Sequence, residues 1–189
     1  LDVAVNLSAG DIVDVGLGHV ILRLLAEYRV AATSLVLEIT ESAMMRDPVT
    51  AAQNMELLRV AGVRFAIDDF GTGYSSLSQL RKLPVDELKI DRSFVSRAHL
   101  DADDASIVSS TIELAHNLGL KVVAEGVEVA ETLLMLRKLG CDYAQGYLIS
   151  KPMAAGEVVA YVREANQILE DSDSTLIQVR ALERLSTRR

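Results

Sequence analysis

Apolar positions along the chain gather into six short runs rich in β-branched residues, each separated from the next by a stretch of helical periodicity or a short helix. The runs are Val3 to Leu7, Leu35 to Ile39, Arg64 to Ile67, Glu87 to Ile90, Lys121 to Ala124 and Tyr143 to Ile149. Each is too short for a buried helix and reads as a strand. Between them, Ile12 to Tyr28 carries Ile21, Leu24, Leu25 and Tyr28 at helical spacing, and Val49 to Ala61 carries Leu57, Leu58 and Ala61 in the same way. Leu77 to Leu83, Ser106 to Leu118 and Ala130 to Leu139 complete a repeated βα rhythm. Gly62, Gly119 and Gly140 each fall just after a predicted helix, where a left-handed cap favours glycine, and a strand follows within a few residues.

Alternating strands and helices with nearly continuous apolar strands predict an α/β fold in which helices cover a parallel sheet. A doubly wound sheet gathers its chemistry at one switch point, whereas a (β/α)8 TIM-like barrel spreads it over the C-terminal ends of many strands. Polar residues sit at the strand ends one after another: Asn6, Glu38, Asp68 with Asp69, Lys89, Glu125 and Gln145. That distribution predicts the barrel. Asn6 and Gln145 bound five intervals of about 28 residues, the unit length of a barrel of roughly 250 residues. The chain opens at Leu1 inside a strand already under way, so the count predicts a barrel lacking about its first two strand-helix units. The barrel domain is expected over residues 1–168. After Leu169 the polar run Glu170 to Ser174 precedes Leu176, Val179, Leu182 and Leu185, so 169–189 reads as a linker with a short amphipathic helix.

Composition narrows the function. Of 189 residues half are hydrophobic, which sets disorder aside, and no unbroken apolar stretch approaches a membrane span. The single cysteine, Cys141, excludes an internal disulfide and a Cys-based zinc cluster, which fits a reducing compartment. With no signal peptide in view, the expected location is the cytoplasm. Acidic residues outnumber basic ones 27 to 19, a formal charge of -8, so no basic stripe exists to hold a nucleic-acid polymer. A phosphate-bearing substrate would need local metal ions.

The strand ends supply candidates for that role. Asp68 and Asp69 follow Ala66 and Ile67 and precede Phe70, Gly71, Thr72 and Gly73, so two mutually repelling carboxylates emerge where a glycine-containing loop starts. A hard divalent cation bound through oxygen is the usual reason for such a pair; a helix cap or turn is the plain alternative. Glu38 and Glu125 close strongly apolar runs, where a carboxylate is rarely buried unpaired; both read as ligands, with a salt bridge as the plain alternative for Glu38. Asn6 offers a neutral oxygen or is a satisfied core amide. Lys89, between Leu88 and Ile90, pairs with carboxylates or a phosphate, or fills a salt bridge to Asp91. Gln145 precedes Gly146, which lets a ligand or another backbone come close. Glu41 and Glu128 read as ligand-site companions or helix caps. His19, His99 and His116 lie away from the strand ends, against a histidine metal site or a Ser-His-Asp triad.

Taken together, Val5-Asn6-Leu7-Ser8, Leu37-Glu38-Ile39-Thr40-Glu41, Ile67-Asp68-Asp69-Phe70-Gly71-Thr72-Gly73, Leu88-Lys89-Ile90-Asp91, Val123-Ala124-Glu125-Gly126-Val127-Glu128 and Gln145-Gly146-Tyr147 resemble the EAL domain family. The resemblance covers about Leu1 to Tyr161. It implies hydrolysis of cyclic di-GMP to linear pGpG in a bacterial second-messenger system, on a (β/α)8-like barrel with two Mg2+ or Mn2+ ions. By position it implies that Asn6, Glu38 and Asp68 hold one metal, with Asp68 bridging to a second held by Asp69 and Glu125. Lys89 and Gln145 would orient the attacking water or a phosphate oxygen, with Glu125 as an alternative general base. Glu41, Gly71, Thr72 and Gly73 would couple the site to a homodimer contact. The family's usual context implies fusion to GGDEF, PAS or other sensory domains. The Glu-Ala-Leu motif itself is absent from the chain, and a receptor that binds cyclic di-GMP without cutting it is the competing expectation.

Overall fold

The computed structural model describes residues 2–40, 43, 47–71, 80 and 83–170, the last six of these as backbone. Six strands form one sheet hydrogen-bonded in chain order: β1 (Val3–Leu7), β2 (Leu35–Thr40), β3 (Arg64–Phe70), β4 (Glu87–Ile90), β5 (Lys121–Ala124) and β6 (Tyr143–Ala144). The pairings from β1 through β4 are parallel. The α-helices whose bounds lie among the described residues are α1 (Leu17–Glu27), α2 (Pro48–Val60), α3 (Arg92–Val95), α4 (Ala102–Asn117), α5 (Ala130–Lys138) and α6 (Ala155–Glu170). A parallel sheet in simple chain order, with helices in the described connections between its strands, is the topology of part of a TIM barrel, as the strand-helix rhythm predicts.

Local chemistry sets where these elements begin and stop. Asp47 caps α2 by accepting the Thr50 N–H at 3.2 Å, and Pro48 opens the first turn, where its missing donor is harmless. The three predicted glycine stops are confirmed: Gly62, Gly119 and Gly140 have φ of +101°, +77° and +78°. After each, the chain closes the last turn with the paired bonds of a Schellman cap, such as Val63 N–H to Leu58 C=O at 3.1 Å and Gly62 N–H to Arg59 C=O at 2.8 Å.

The contacts divide the chain into two compact units. The first spans Leu1–Asp91 and Ser110–Val123. Its core joins Leu37, Ile39, Phe65, Ile67, Leu88 and Ile90 from the strands to Met55 and Leu58 of α2, all essentially inaccessible. β2 is buried on both faces through its four central residues, as an interior parallel strand must be. β1 stands at the end of the sheet, and Val3 and Val5 are correspondingly exposed. Buried Asn54 ties α2 to the segment after β1, its Nδ2 donating to the carbonyls of Ile12 at 2.8 Å and Asp14 at 2.9 Å. The second unit spans Arg92–Ser109 and Ala124–Arg189, with Val95, Val127 and Leu136 fully buried.

Two predicted elements are shorter than their patterns. The helix expected from Ile12 starts only at Leu17: Asp14 folds back to accept the Gly16 N–H at 2.7 Å, and Ile12 is buried within the preceding turn. The strand expected over Tyr143 to Ile149 stops at Ala144, because Ile149 N–H turns back to Gly146 C=O at 3.0 Å. Of the expected helix Leu77 to Leu83 only positions 80 and 83 are described. The expected segment 176–185 lies outside the described residues.

Candidate functional site

Parallel register places the polar residues of the first unit in a row. Asn6 of β1 is the register partner of Glu38 in β2, and Thr40 of β2 is the partner of Asp68 in β3. Register partners in a parallel pair face the same side of the sheet, so Asn6 and Glu38 share a face near the C-terminal ends of their strands. Asn6 is exposed, whereas Glu38 is only 8% accessible.

The next step along the sheet is irregular, and the irregularity falls on the two aspartates. Ile67 pairs with Leu88 and Phe70 with Ile90, leaving Asp68 and Asp69 opposite the single residue Lys89. This two-against-one arrangement is a β-bulge, which breaks the up-down alternation and redirects side chains. Asp69 adopts φ of +55°, a left-handed conformation that aspartate tolerates better than most residues. Asp68 Oδ1 accepts the Asp69 N–H at 3.1 Å.

Lys89 is 3% accessible, yet its Nζ lies 2.6 Å from Glu38 Oε2 and 3.0 Å from Asp68 Oδ1. An ammonium so deeply placed requires such partners, since an unpaired buried charge costs several kcal/mol. One cation here faces two carboxylates, and Asp69 adds a third nearby. Burial, then the charges of Asp68 and Asp91, push the Asp69 carboxyl above its ordinary range, with Lys89 opposing. The donor set in this unit is all oxygen, one amide and three carboxylates. Two of those carboxylates already converge on a positive charge, which is the chemistry of a hard divalent-cation site.

In the second unit, Glu125 is the first residue after β5 and is half-buried. Gln145 follows β6 and is locked to the same stretch of chain: its N–H donates to Ala124 C=O at 2.8 Å and its C=O accepts the Val127 N–H at 3.0 Å. Leu148 N–H closes the mesh on Val127 C=O at 3.0 Å. Gly146 is what permits this approach, since a Cβ there would sit 2.2 Å from the Val127 carbonyl oxygen. Gly126 has φ of +68° and lies under the stem of Arg92, whose Nη2 pairs with Glu128 Oε1 at 2.7 Å. Glu128 is therefore an ion-pair partner, and α5 takes its N-cap from Val129 without a side-chain bond. The Arg92 pairing is not visible in the sequence pattern, because nothing in residues 92 and 128 alone joins them.

The remaining candidates divide simply. Gly71 is left-handed with φ of +99°. Glu41, Thr72 and Gly73 lie outside the described residues. His99 Nδ1 meets the buried hydroxyl of Thr132 at 2.9 Å, and His19 and His116 are exposed. Burial pushes the Cys141 thiol up to about 11, so it stays protonated and unreactive.

A family model for the EAL domain matches residues 1–152. The bifunctional diguanylate cyclase/cyclic di-GMP phosphodiesterase MucR of Pseudomonas aeruginosa is 45% identical over 161 residues, which are 85% of this chain and 24% of MucR. The chain thus spans about a quarter of that relative's length. A solved PaMucR phosphodiesterase in complex with c-di-GMP superposes with a TM-score of 0.78 at 44% identity, covering 83% of this chain and 64% of that one. Klebsiella pneumoniae BlrP1, solved as a manganese/cy-diGMP complex, gives a TM-score of 0.74 at 33% identity over 80% of this chain and 39% of its own.

Proposed function

The chain belongs to the EAL domain family, and from that premise we propose that it is a metal-dependent phosphodiesterase module that hydrolyses cyclic di-GMP to linear pGpG. The observation that carries the reading is the pair of carboxylates at the C-terminal ends of β2 and β3, Glu38 and Asp68, gathered on buried Lys89, with Asn6 in register beside Glu38. The C-terminal ends of parallel barrel strands are where such enzymes do their chemistry.

Asn6, Glu38 and Asp68 would hold one Mg2+ or Mn2+ ion, and Asp68, Asp69 and Glu125 a second. When bound, two such ions would supply Lewis acidity that makes water a nucleophile at neutral pH and would neutralise phosphate charge. Lys89 Nζ donates to the attacking water or a phosphate oxygen, and the Gln145 amide orients the same group. In its alternative role, the Glu125 carboxylate would accept the proton of that water. Manganese and calcium in the solved BlrP1 complexes with cy-diGMP support the choice of divalent ions.

The same reading takes the protein as a homodimer through the segment after Asp69, and as one module of a longer signalling protein, with a GGDEF domain as the partner that MucR's double activity suggests. No helix among the described residues is long and apolar enough to cross a membrane. A cytoplasmic location belongs to this proposal, where the nucleotide would be met.

Substitution tests the reading. Asp68→Asn and Glu125→Gln, each made in the full-length protein, should abolish turnover of cyclic di-GMP while leaving the thermal transition in place. Near-native turnover by either variant removes that residue from the mechanism. Tight binding of the nucleotide by the unsubstituted protein, with no product, would favour the receptor role instead.

A further inference from the structure

The geometry points to a second task for Lys89: we propose that its ammonium is a place-holding cation, which keeps Glu38 and Asp68 at ligand spacing until a divalent ion displaces it. This rests on the proposed function, because it takes both carboxylates as metal ligands. Lys89 Nζ is 2.6 Å from Glu38 Oε2 and 3.0 Å from Asp68 Oδ1, so those two oxygens stand no farther apart than the two distances together. Two oxygens that share one Mg2+ stand at most about 4.2 Å apart, so an ammonium between them holds the pair near that spacing or somewhat wider.

The electrostatics argue the same way. The side chains of Lys89, Glu38 and Asp68 are 4%, 10% and 15% accessible, so water screens their charges weakly. Without a cation, Glu38 and Asp68 would repel at short range in a poor dielectric and swing apart or take up a proton. The bulge in β3 sets the Lys89 backbone against both Asp68 and Asp69, so strand pairing brings its side chain to the two carboxylates, while the ammonium at the end of a flexible four-carbon stem can still give way to an ion. An arriving ion therefore meets preorganised ligands, but it competes with an ammonium for them. Removing that competitor should strengthen metal binding, while removing it from the metal-free protein should weaken the fold.

The test uses Lys89→Met in the full-length protein, with Mn2+ alone as the probe. In chelator the variant should melt below wild type, and calorimetric titration should give an Mn2+ dissociation constant at least tenfold lower. Equal or weaker Mn2+ binding by a folded Lys89→Met overturns the proposal. If Lys89→Met is insoluble without metal, the charge-balanced variant Lys89→Met with Asp68→Asn decides, because it should fold in chelator. Failure of that double variant to gain stability over Lys89→Met also overturns the proposal. Asp68→Asn alone separates this idea from the reading beneath it. Unchanged Mn2+ affinity in Asp68→Asn refutes the ligand assignment itself. Lost affinity there, with no tightening in Lys89→Met, refutes the place-holder only.

Discussion

Gly146→Ala should be among the most damaging single-methyl changes in the chain. Gly146 lies where the chain after β6 crosses the segment after β5, and an added Cβ would stand 2.2 Å from Val127 O and 2.3 Å from Val127 N. Backbone is being struck, so no side chain can rotate away, and the two segments must separate by roughly 1 Å to restore ordinary contact. Overpacking of this kind costs about 1–3 kcal/mol. The retreat also loosens Val127 N–H to Gln145 C=O and Leu148 N–H to Val127 C=O, at 3.0 Å each, bonds worth about 0.5–1.5 kcal/mol apiece. The total is about 2–6 kcal/mol, which for a domain of this size lowers Tm by on the order of 10 °C. Gly156→Ala is the control: nothing lies within 4 Å of its Cβ position and it sits in α6, so Tm should hold or rise slightly. Differential scanning calorimetry of both variants checks the argument. A Gly146→Ala protein melting within about 2 °C of wild type would refute the close approach, and with it the mesh that fixes Gln145 beside Glu125.

Glu87 carries a pH prediction. Its folded carboxyl is raised above the ordinary 4.5, first by burial, against the opposing charge of Arg64 at 3.1 Å. A raised acid contributes stability that is full below 4.5 and is lost as pH climbs through the folded value. The Tm of Glu87→Gln minus that of wild type, measured in chelator, should therefore grow more positive from about pH 4 to 7, and the opposite trend would show that the Arg64 pair dominates. The dimer proposal is checked by light scattering at micromolar concentration, where one-chain mass with full activity counts against it.

Much of this architecture is legible in the sequence because parallel strands are continuous apolar runs and their helices end on glycine. Val3 to Leu7, Glu87 to Ile90 and Lys121 to Ala124 coincide with observed strands to the residue. Strand-end polarity likewise marks Glu38, Asp68 and Lys89, because a charged side chain that closes an apolar run stands out by its position alone. The β3 bulge is not legible, since alternation within Arg64 to Phe70 carries no sign of two residues facing one, and only the left-handed tolerance of aspartate hints at it. Tyr143 to Ile149 misleads because its apolar pattern continues while the backbone turns at Gly146; there the glycine is the better signal. α1 starts late for a similar reason, as Asp14 satisfies the Gly16 N–H locally and delays the helix. The Arg92 to Glu128 ion pair links positions distant in sequence, and no local pattern announces it.

The central claim is metal-dependent cleavage of cyclic di-GMP, and one measurement meets it directly. The full-length protein is stripped with chelator, divided, and assayed for cyclic di-GMP loss and pGpG formation by mass spectrometry, with and without returned Mn2+ or Mg2+. Linear pGpG should form only where the ion has been restored, because the bound ions would supply the hydroxide and neutralise the phosphate charge. Undiminished turnover in the chelator would contradict it.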